Sequence, residues 1–350
     1  MPGNITLDLI RWAEKTPDAP ALLFGNESIS YRQLDQTVWK LAQHLYDHGI
    51  RRQQVVALTI GNEILLAVTL LAVARLGAAG ISLARSMGAQ ERLAAAHQAG
   101  ICWLLTDHET AAMNDVATIR LASEPAAWNA TRVRYGILEE SPVAPWQIIR
   151  GSGTTGEPRL LPISHDQAAA RFRGQALASS ITPGDRLAGL SGLEFSISKH
   201  RLGWALMAGA AYAILDHANP LDDISRLGVS LLGISVMHAE QMLSKPDSTA
   251  RRALEGVRGI WSAGSVVSND LRTRIRSQLS ENLWIDYGSN EAGHLTLARP
   301  PDVFDTPGTV GRSLPGSRTA GRRCRRPAPV CRPSRPCPRA RRRHDRRLPR

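Results

Sequence analysis

Gly151-Ser152-Gly153-Thr154-Thr155-Gly156-Glu157-Pro158-Arg159-Leu160-Leu161-Pro162-Ile163-Ser164-His165-Asp166 is the stretch on which the reading of this chain turns. Three glycines in six residues let the backbone curl into an anion-binding nest, and Ser152, Thr154 and Thr155 add hydroxyl donors. Arg159 adds a permanent positive charge. The same letters satisfy Gly-x-Gly-x-x-Gly, but a dinucleotide fingerprint needs its third glycine to open a helix. Here Glu157-Pro158 follows, and Pro162 argues against a helix beginning there. A Walker-type loop needs Lys-Ser/Thr after its last glycine, and Glu157-Pro158 stands in that place. The plain alternative is a solvent-exposed linker. The density of hydroxyls and free backbone N–H groups favours a loop that grips phosphate.

On the N-terminal side of the loop, short β-branched runs alternate with helical patterns. Ala21–Phe24 and Ser28–Tyr31, separated by Gly25-Asn26, predict a hairpin. Leu34, Val38, Leu41, Ala42 and Leu45 recur at helical spacing and end at Gly49. Val55–Ile60 reads as a strand buried on both faces, and Ala79–Leu83 and Ile101–Leu105 as further strands, with helices over 64–76 and 90–98 between them. Residues 106–147 lack a clear period and read as a connection. Beyond the loop, strands are expected at 186–190, 211–215, 231–234, 259–262 and 283–287, with helices over 201–208, 239–244 and 269–279. The fold class is therefore α/β, two stacked βαβ-type subdomains with boundaries at 1–147 and 148–316. The longest apolar run, Ile64 to Ala74, is too short to span a bilayer, and no export signal precedes it. A cytoplasmic protein without a membrane span is expected.

Of the chain's 43 basic and 31 acidic residues, 14 arginines and a single acid, Asp345, lie in Ser317–Arg350. That leaves 29 basic and 30 acidic residues for the first 316, so the strong net charge of +12 belongs to the tail. A neutral body argues against a nucleic-acid partner for the folded part. Residues 317–350 keep no apolar period and are expected to be disordered. They fit a basic nucleic-acid-binding arm, and fit better a coding region read out of frame, because the preceding pattern stops mid-motif. Cys102 is alone in the body, and Cys324, Cys331 and Cys337 have no zinc-like spacing. A disulfide framework is excluded for the body.

With these residues in view, Ser152–Pro158 and the closing pair Ser164-His165 resemble the signature loop of the adenylate-forming (AMP-binding) superfamily, which includes acyl-CoA synthetases and peptide-synthetase adenylation domains. Arg159 stands at the family's lysine and Leu160 at its following glycine. Leu283–Gly293 resembles the family's Tyr-Gly-x-Thr-Glu block, with Asn290 in place of threonine. By that resemblance Tyr287 lies against adenine and Glu291 holds Mg²⁺ on the triphosphate, a task suited to a carboxylate. Asp286, Gly288 and Asn290 join the nucleotide contacts, as do Ala263, Gly264 and Ser265 in the turn after a core strand. Ser152, Gly153, Thr154, Thr155, Gly156 and Arg159 bear on the phosphates. Looser matches are Ser30–Leu34 and Gly308–Gly316.

The resemblance implies acyl activation: a carboxylic acid and ATP give an acyl-adenylate and pyrophosphate, and CoA or the phosphopantetheine of a carrier protein then takes the acyl group. Catalysis of this kind is positioning and charge stabilisation. Phe195, Ser196 and His200 fall where the family's acyl pocket lies. Peptide-synthetase domains place an Asp at the position of Ser196, where it pairs with an α-amine. Its absence would leave an ammonium group buried and unpaired, which points to a fatty, aryl or polyketide-like acid. His200 serves either the pocket or the packing. The family's ribose-binding Asp, hinge and C-terminal domain are expected after Gly316 and do not follow it, so little or no ligase turnover is expected of this polypeptide. The alternative is a non-catalytic nucleotide or acyl binder.

Overall fold

The computed structural model describes residues 3–109, 113, 116–122, 143–151, 159–245 and 247–314. The loop residues 152–158 and the tail 317–350 therefore lie outside the described residues.

The chain begins with a helix, α1 (Leu7–Lys15), and the expected hairpin, β1 (Pro20–Phe24) with β2 (Glu27–Ser30). Ser30 then caps α2 (Tyr31–Asp47) through a capping box with Gln33, which satisfies orphan N–H groups of the first turn. A run of strands and helices follows: β3 (Val55–Thr59), α3 (Glu63–Arg75), β4 (Ala79–Ser82), α4 (Ala89–Ala99), β5 (Ile101–Thr106), β6 (Ala117–Arg120), β7 (Pro145–Arg150) and β8 (Leu160–Ser164). After α5 (His165–Ala178) come β9 (Arg186–Gly189), α6 (Ser196–Ala208), β10 (Ala211–Ala213), β11 (Leu231–Ile234), β12 (Gly259–Ser262), β13 (Leu283–Ser289), β14 (Gly293–Ala298) and β15 (Arg312–Ser313).

Two sheets result. One runs β6-β5-β3-β4-β7-β8, parallel except for β8. The other runs β15-β14-β13-β12-β11-β9-β10-β1-β2, with a parallel centre and antiparallel strands at both margins. Sheet membership does not follow the boundary expected at 147/148: β1 and β2 join the far sheet through β10, while β8 joins the near one. Local periodicity cannot reveal this, because β1 pairs in parallel with β10, as in Leu22 with Tyr212, far later in the chain. Residues 106–147 hold more structure than their composition suggests. β6 buries only Ile119, too little to leave an apolar period. Pro162 sits in β8, an edge strand, where a missing N–H is tolerated.

α3 is apolar on every side and nearly all of it is buried. It belongs to the main core together with residues of α2, α5 and α6 and both sheets, among them Trp146, Phe172, Leu202 and Trp204. Among the described residues no helix is long and apolar enough to cross a membrane.

Candidate active site

In the second sheet β9, β11, β12 and β13 run parallel, and their carboxyl ends open onto one crevice. Such ends are where open α/β sheets bind ligands. A cavity of about 300 Å³ lies there. Its walls are the first turns of α6 (Ser196, Ile197, His200, Arg201), the segment after β12 (Ala263, Gly264) and the β13–β14 turn (Asp286, Gly288, Asn290, His294).

The turn owes its shape to glycine and arginine. The β13–β14 ladder shifts register between Tyr287 and Gly288, and a side chain at Gly288 would collide with the backbone of Gly293. Only glycine permits so close a backbone approach. Arg171, reaching from α5, donates to the carbonyls of Asn290 (3.2 Å) and Glu291 (2.7 Å) and holds the turn against the helix.

Glu291 stands at the tip, in solvent. Its own backbone N–H and the Ser289 hydroxyl hold the carboxyl below the usual range, and the charge of Arg159 adds to this. Arg150 pairs with Leu160 and the Gly151 N–H donates to the Arg159 carbonyl (2.8 Å), so β7 and β8 form a hairpin that brackets the signature loop. Ser152, Gly153, Thr154, Thr155 and Gly156 lie outside the described residues. Ser164, of the closing pair, caps α5 in a second capping box with Gln167.

Tyr287 is exposed and is not part of the cavity lining. Asp286 points inward and is buried, with Oδ2 at 2.7 Å from His294 Nδ1. His294 Nε2 lies 3.3 Å from His200 Nδ1, and His200 Nε2 lies 3.2 Å from Gln147 Nε2. Burial first, and then the neighbouring basic side chains, push the His200 pKa well below the ordinary histidine value, so this ring is neutral. One set of tautomers satisfies every contact. The Gln147 amide donates to His200, His200 Nδ1–H donates to His294, and His294 Nδ1–H donates to the Asp286 carboxylate.

Not every expected residue reaches the cavity. Ser196 and His200 line it, but Phe195 does not. It is largely exposed and faces a second cavity of about 670 Å³ near Arg85, Glu194 and His217. The reason is geometric: it is the residue before the first turn of α6, and neighbouring positions on a helix face different directions. Ser265 is exposed and outside the lining, whereas Ala263 and Gly264 belong to it. The residues missing from the sequence reading are His294, Arg171, Gln147 and Arg201. Lys199-His200-Arg201 looks like a solvated basic run, yet all three are buried. The signal available was the position of that run inside an apolar helix between two strands.

The sequence matches the family model described as AMP-binding enzyme over residues 9–320. The chain belongs to the AMP-binding enzyme family. It is similar to pyochelin synthetase PchE of Pseudomonas aeruginosa, with 26% identity over 327 residues, covering 88% of this chain and 22% of that protein. The chain thus spans under a quarter of that relative's length. Among solved structures it resembles the Klebsiella oxytoca NpsA N-terminal subdomain in complex with 3-hydroxyanthranilyl-AMSN, with TM-score 0.78 and 20% identity over 90% of this chain and 80% of that one. It also resembles the Bacillus subtilis O-succinylbenzoate coenzyme A synthetase (MenE) in complex with AMP, with TM-score 0.78 and 20% identity over 89% and 64%. The two-sheet α/β architecture is that of the N-terminal domain of AMP-binding enzymes.

Proposed function

We propose that this AMP-binding chain takes part in activating a carboxylic acid with ATP. The observation that carries the reading is the crevice at the carboxyl ends of β9, β11, β12 and β13, walled by the β13–β14 turn whose tip carries Glu291. ATP lies with its adenine between the Ala263-Gly264 segment and Tyr287, near Gly288 and Asn290. Its phosphates face Arg159 and the Ser152–Gly156 loop. Glu291 fits a Mg²⁺ ligand, because the ion commonly takes one carboxylate and fills its remaining positions with phosphate and water. The metal would supply charge neutralisation on the phosphates.

The acid's carboxylate oxygen attacks the α-phosphorus, the bond to pyrophosphate breaks, and an acyl-adenylate forms. A thiol then attacks the acyl carbon and AMP leaves. The residues of this chain do the positioning: Arg159 bears on the departing charge, and Ser196 and His200 hold the acyl group. Ser196 offers no countercharge to an α-amine, which supports an acid without one. The acceptor is CoA or a carrier-protein phosphopantetheine, and the coenzyme A synthetase MenE among the similar structures supports a thiol. A cytoplasmic setting is part of the proposal, supported by the single described cysteine, the free and exposed Cys102.

The test is calorimetric titration of MgATP into the purified 350-residue chain. Binding is expected, weakened about tenfold or more in Glu291→Gln and in Arg159→Met, with the Glu291→Gln deficit disappearing when Mg²⁺ is omitted. Binding of NAD in place of ATP, or full MgATP affinity in both variants, would refute the reading.

A further inference from the structure

The inner wall of the cavity holds a buried cation, Arg201, that makes no direct contact with the carboxylate nearest to it, Asp286. Arg201 is 2% exposed, and among the described residues its guanidinium makes neither a hydrogen bond nor an ion pair. Space for it is made by two glycines. A Cβ at Gly233, on β11, would overlap the guanidinium, and one at Gly189, on β9, would come within 3.0 Å of Nη1. The sheet face is bare where the side chain lies across it. The nearby carboxylate, Asp286, binds His294 through Oδ2 instead, and its Oδ1 is also unpartnered. A buried, unpaired guanidinium is costly to maintain. Its planar fork matches a carboxylate in two-point geometry. The other basic side chains of the cavity do not compete for that role: His200 and His294 are tied into the chain that ends on Asp286.

We propose that Arg201 receives the second carboxylate of a dicarboxylic acid, so that the pocket selects acids with an anionic group at the end remote from the reacting carboxyl. This rests on the cavity being the acyl pocket of the function proposed above. The opposing view is that Arg201 only balances Asp286 at a distance, in which case its loss changes stability and not selectivity.

The experiment pairs succinate, glutarate, adipate and isophthalate with butyrate, pentanoate, hexanoate and 3-methylbenzoate, each titrated calorimetrically into the full chain at neutral pH. At least one dicarboxylate is expected to bind about tenfold or more tightly than its partner. Arg201→Met should reduce that preference to within about twofold, and Arg201→Lys should keep part of it. Gly233→Ala, which keeps the charge but displaces the guanidinium, should behave like Arg201→Met and guards against a folding defect in the latter. No preference in the wild-type chain, or an undiminished one in Arg201→Met, overturns the proposal. MgATP is titrated into the same preparations. Selectivity without MgATP binding upholds Arg201 and refutes the ATP reading, whereas MgATP binding without selectivity refutes Arg201 alone.

Discussion

Asp185 offers the sharpest test of how the crevice is supported. Its carboxylate accepts from the Thr182 N–H (2.9 Å), the Ser230 hydroxyl (2.7 Å) and both Nε (2.8 Å) and Nη2 (2.9 Å) of Arg258. It thereby ties the segment before β9 to the segments that open β11 and β12, the strands whose far ends form the cavity. Burial alone would raise its pKa, but the hydrogen bonds from Arg258, Thr182 and Ser230 prevail and hold it at about 2, against 3.8 for the free side chain. A depressed folded-state pKa contributes stability that is present above the unfolded value and lost as pH falls through the folded one. The difference is worth about 2 kcal/mol above roughly pH 5, with about half remaining near pH 3. Asp185→Asn should therefore cost about 2–3 kcal/mol at pH 7 in urea unfolding, and that cost should shrink by about half at pH 3. Comparison with the wild-type chain at each pH removes the contribution of the other carboxylates. A cost below about 0.5 kcal/mol at pH 7, or one that does not change between pH 7 and pH 3, would refute the reasoning.

Two further outcomes follow from packing. Burial lowers the Lys199 pKa to about 8, opposed by Glu194, while its ammonium donates to Ser82 Oγ at 2.7 Å. The folded state thus binds this proton less well than the unfolded one, so Lys199→Met should raise stability by about 2–3 kcal/mol at pH 7, and the gain should fade between pH 8 and 10.5; a destabilised variant at pH 7 in the same urea assay would contradict this. Gly203, in α6, faces the Phe172 ring of α5 with no room for a methyl group. Gly203→Ala should cost about 1–3 kcal/mol by thermal unfolding despite the better helix propensity of alanine, and an unchanged or raised Tm would show that the α5–α6 contact yields freely.

What the sequence made legible is what local chemistry controls. Val55–Ile60 is a continuous apolar, β-branched run whose strand β3 is almost wholly buried, and the structure places it with Ala79–Leu83 and Ile101–Leu105 in one parallel ladder. Ile64–Ala74 has no polar face because helices and sheet surround it. Of the site, Tyr287-Gly288-Ser289-Asn290-Glu291 was marked by its resemblance to the family's block, and the structure places it in the β13–β14 turn, where close backbone approach demands glycine at 288. The partners that complete it were not. Arg171 holds the turn from a helix over a hundred residues away, and nothing beside Arg171 in sequence marks it. Gly189 and Gly233 are two ordinary glycines in two strands until α6 lays Arg201 across both.

The least legible feature is also the one that joins the two sheets. Gln147 belongs to β7 of the first sheet, and Asp286 and His294 to β13 and β14 of the second; His200, on α6, stands between them. The hydrogen bonds run in one direction, from an amide that can only donate at Nε2 to a carboxylate that can only accept. That polarity fixes both imidazole tautomers, and with them the faces that His200 and His294 turn toward the cavity. A wall built this way is set by groups at both ends, so the shape of the pocket depends on the spacing between sheets as well as on the residues that line it. The AMP-binding scaffold supplies the crevice. In this chain that crevice is walled by buried polar groups, His200 and Arg201 on helix α6 and Asp286 and His294 on strands β13 and β14.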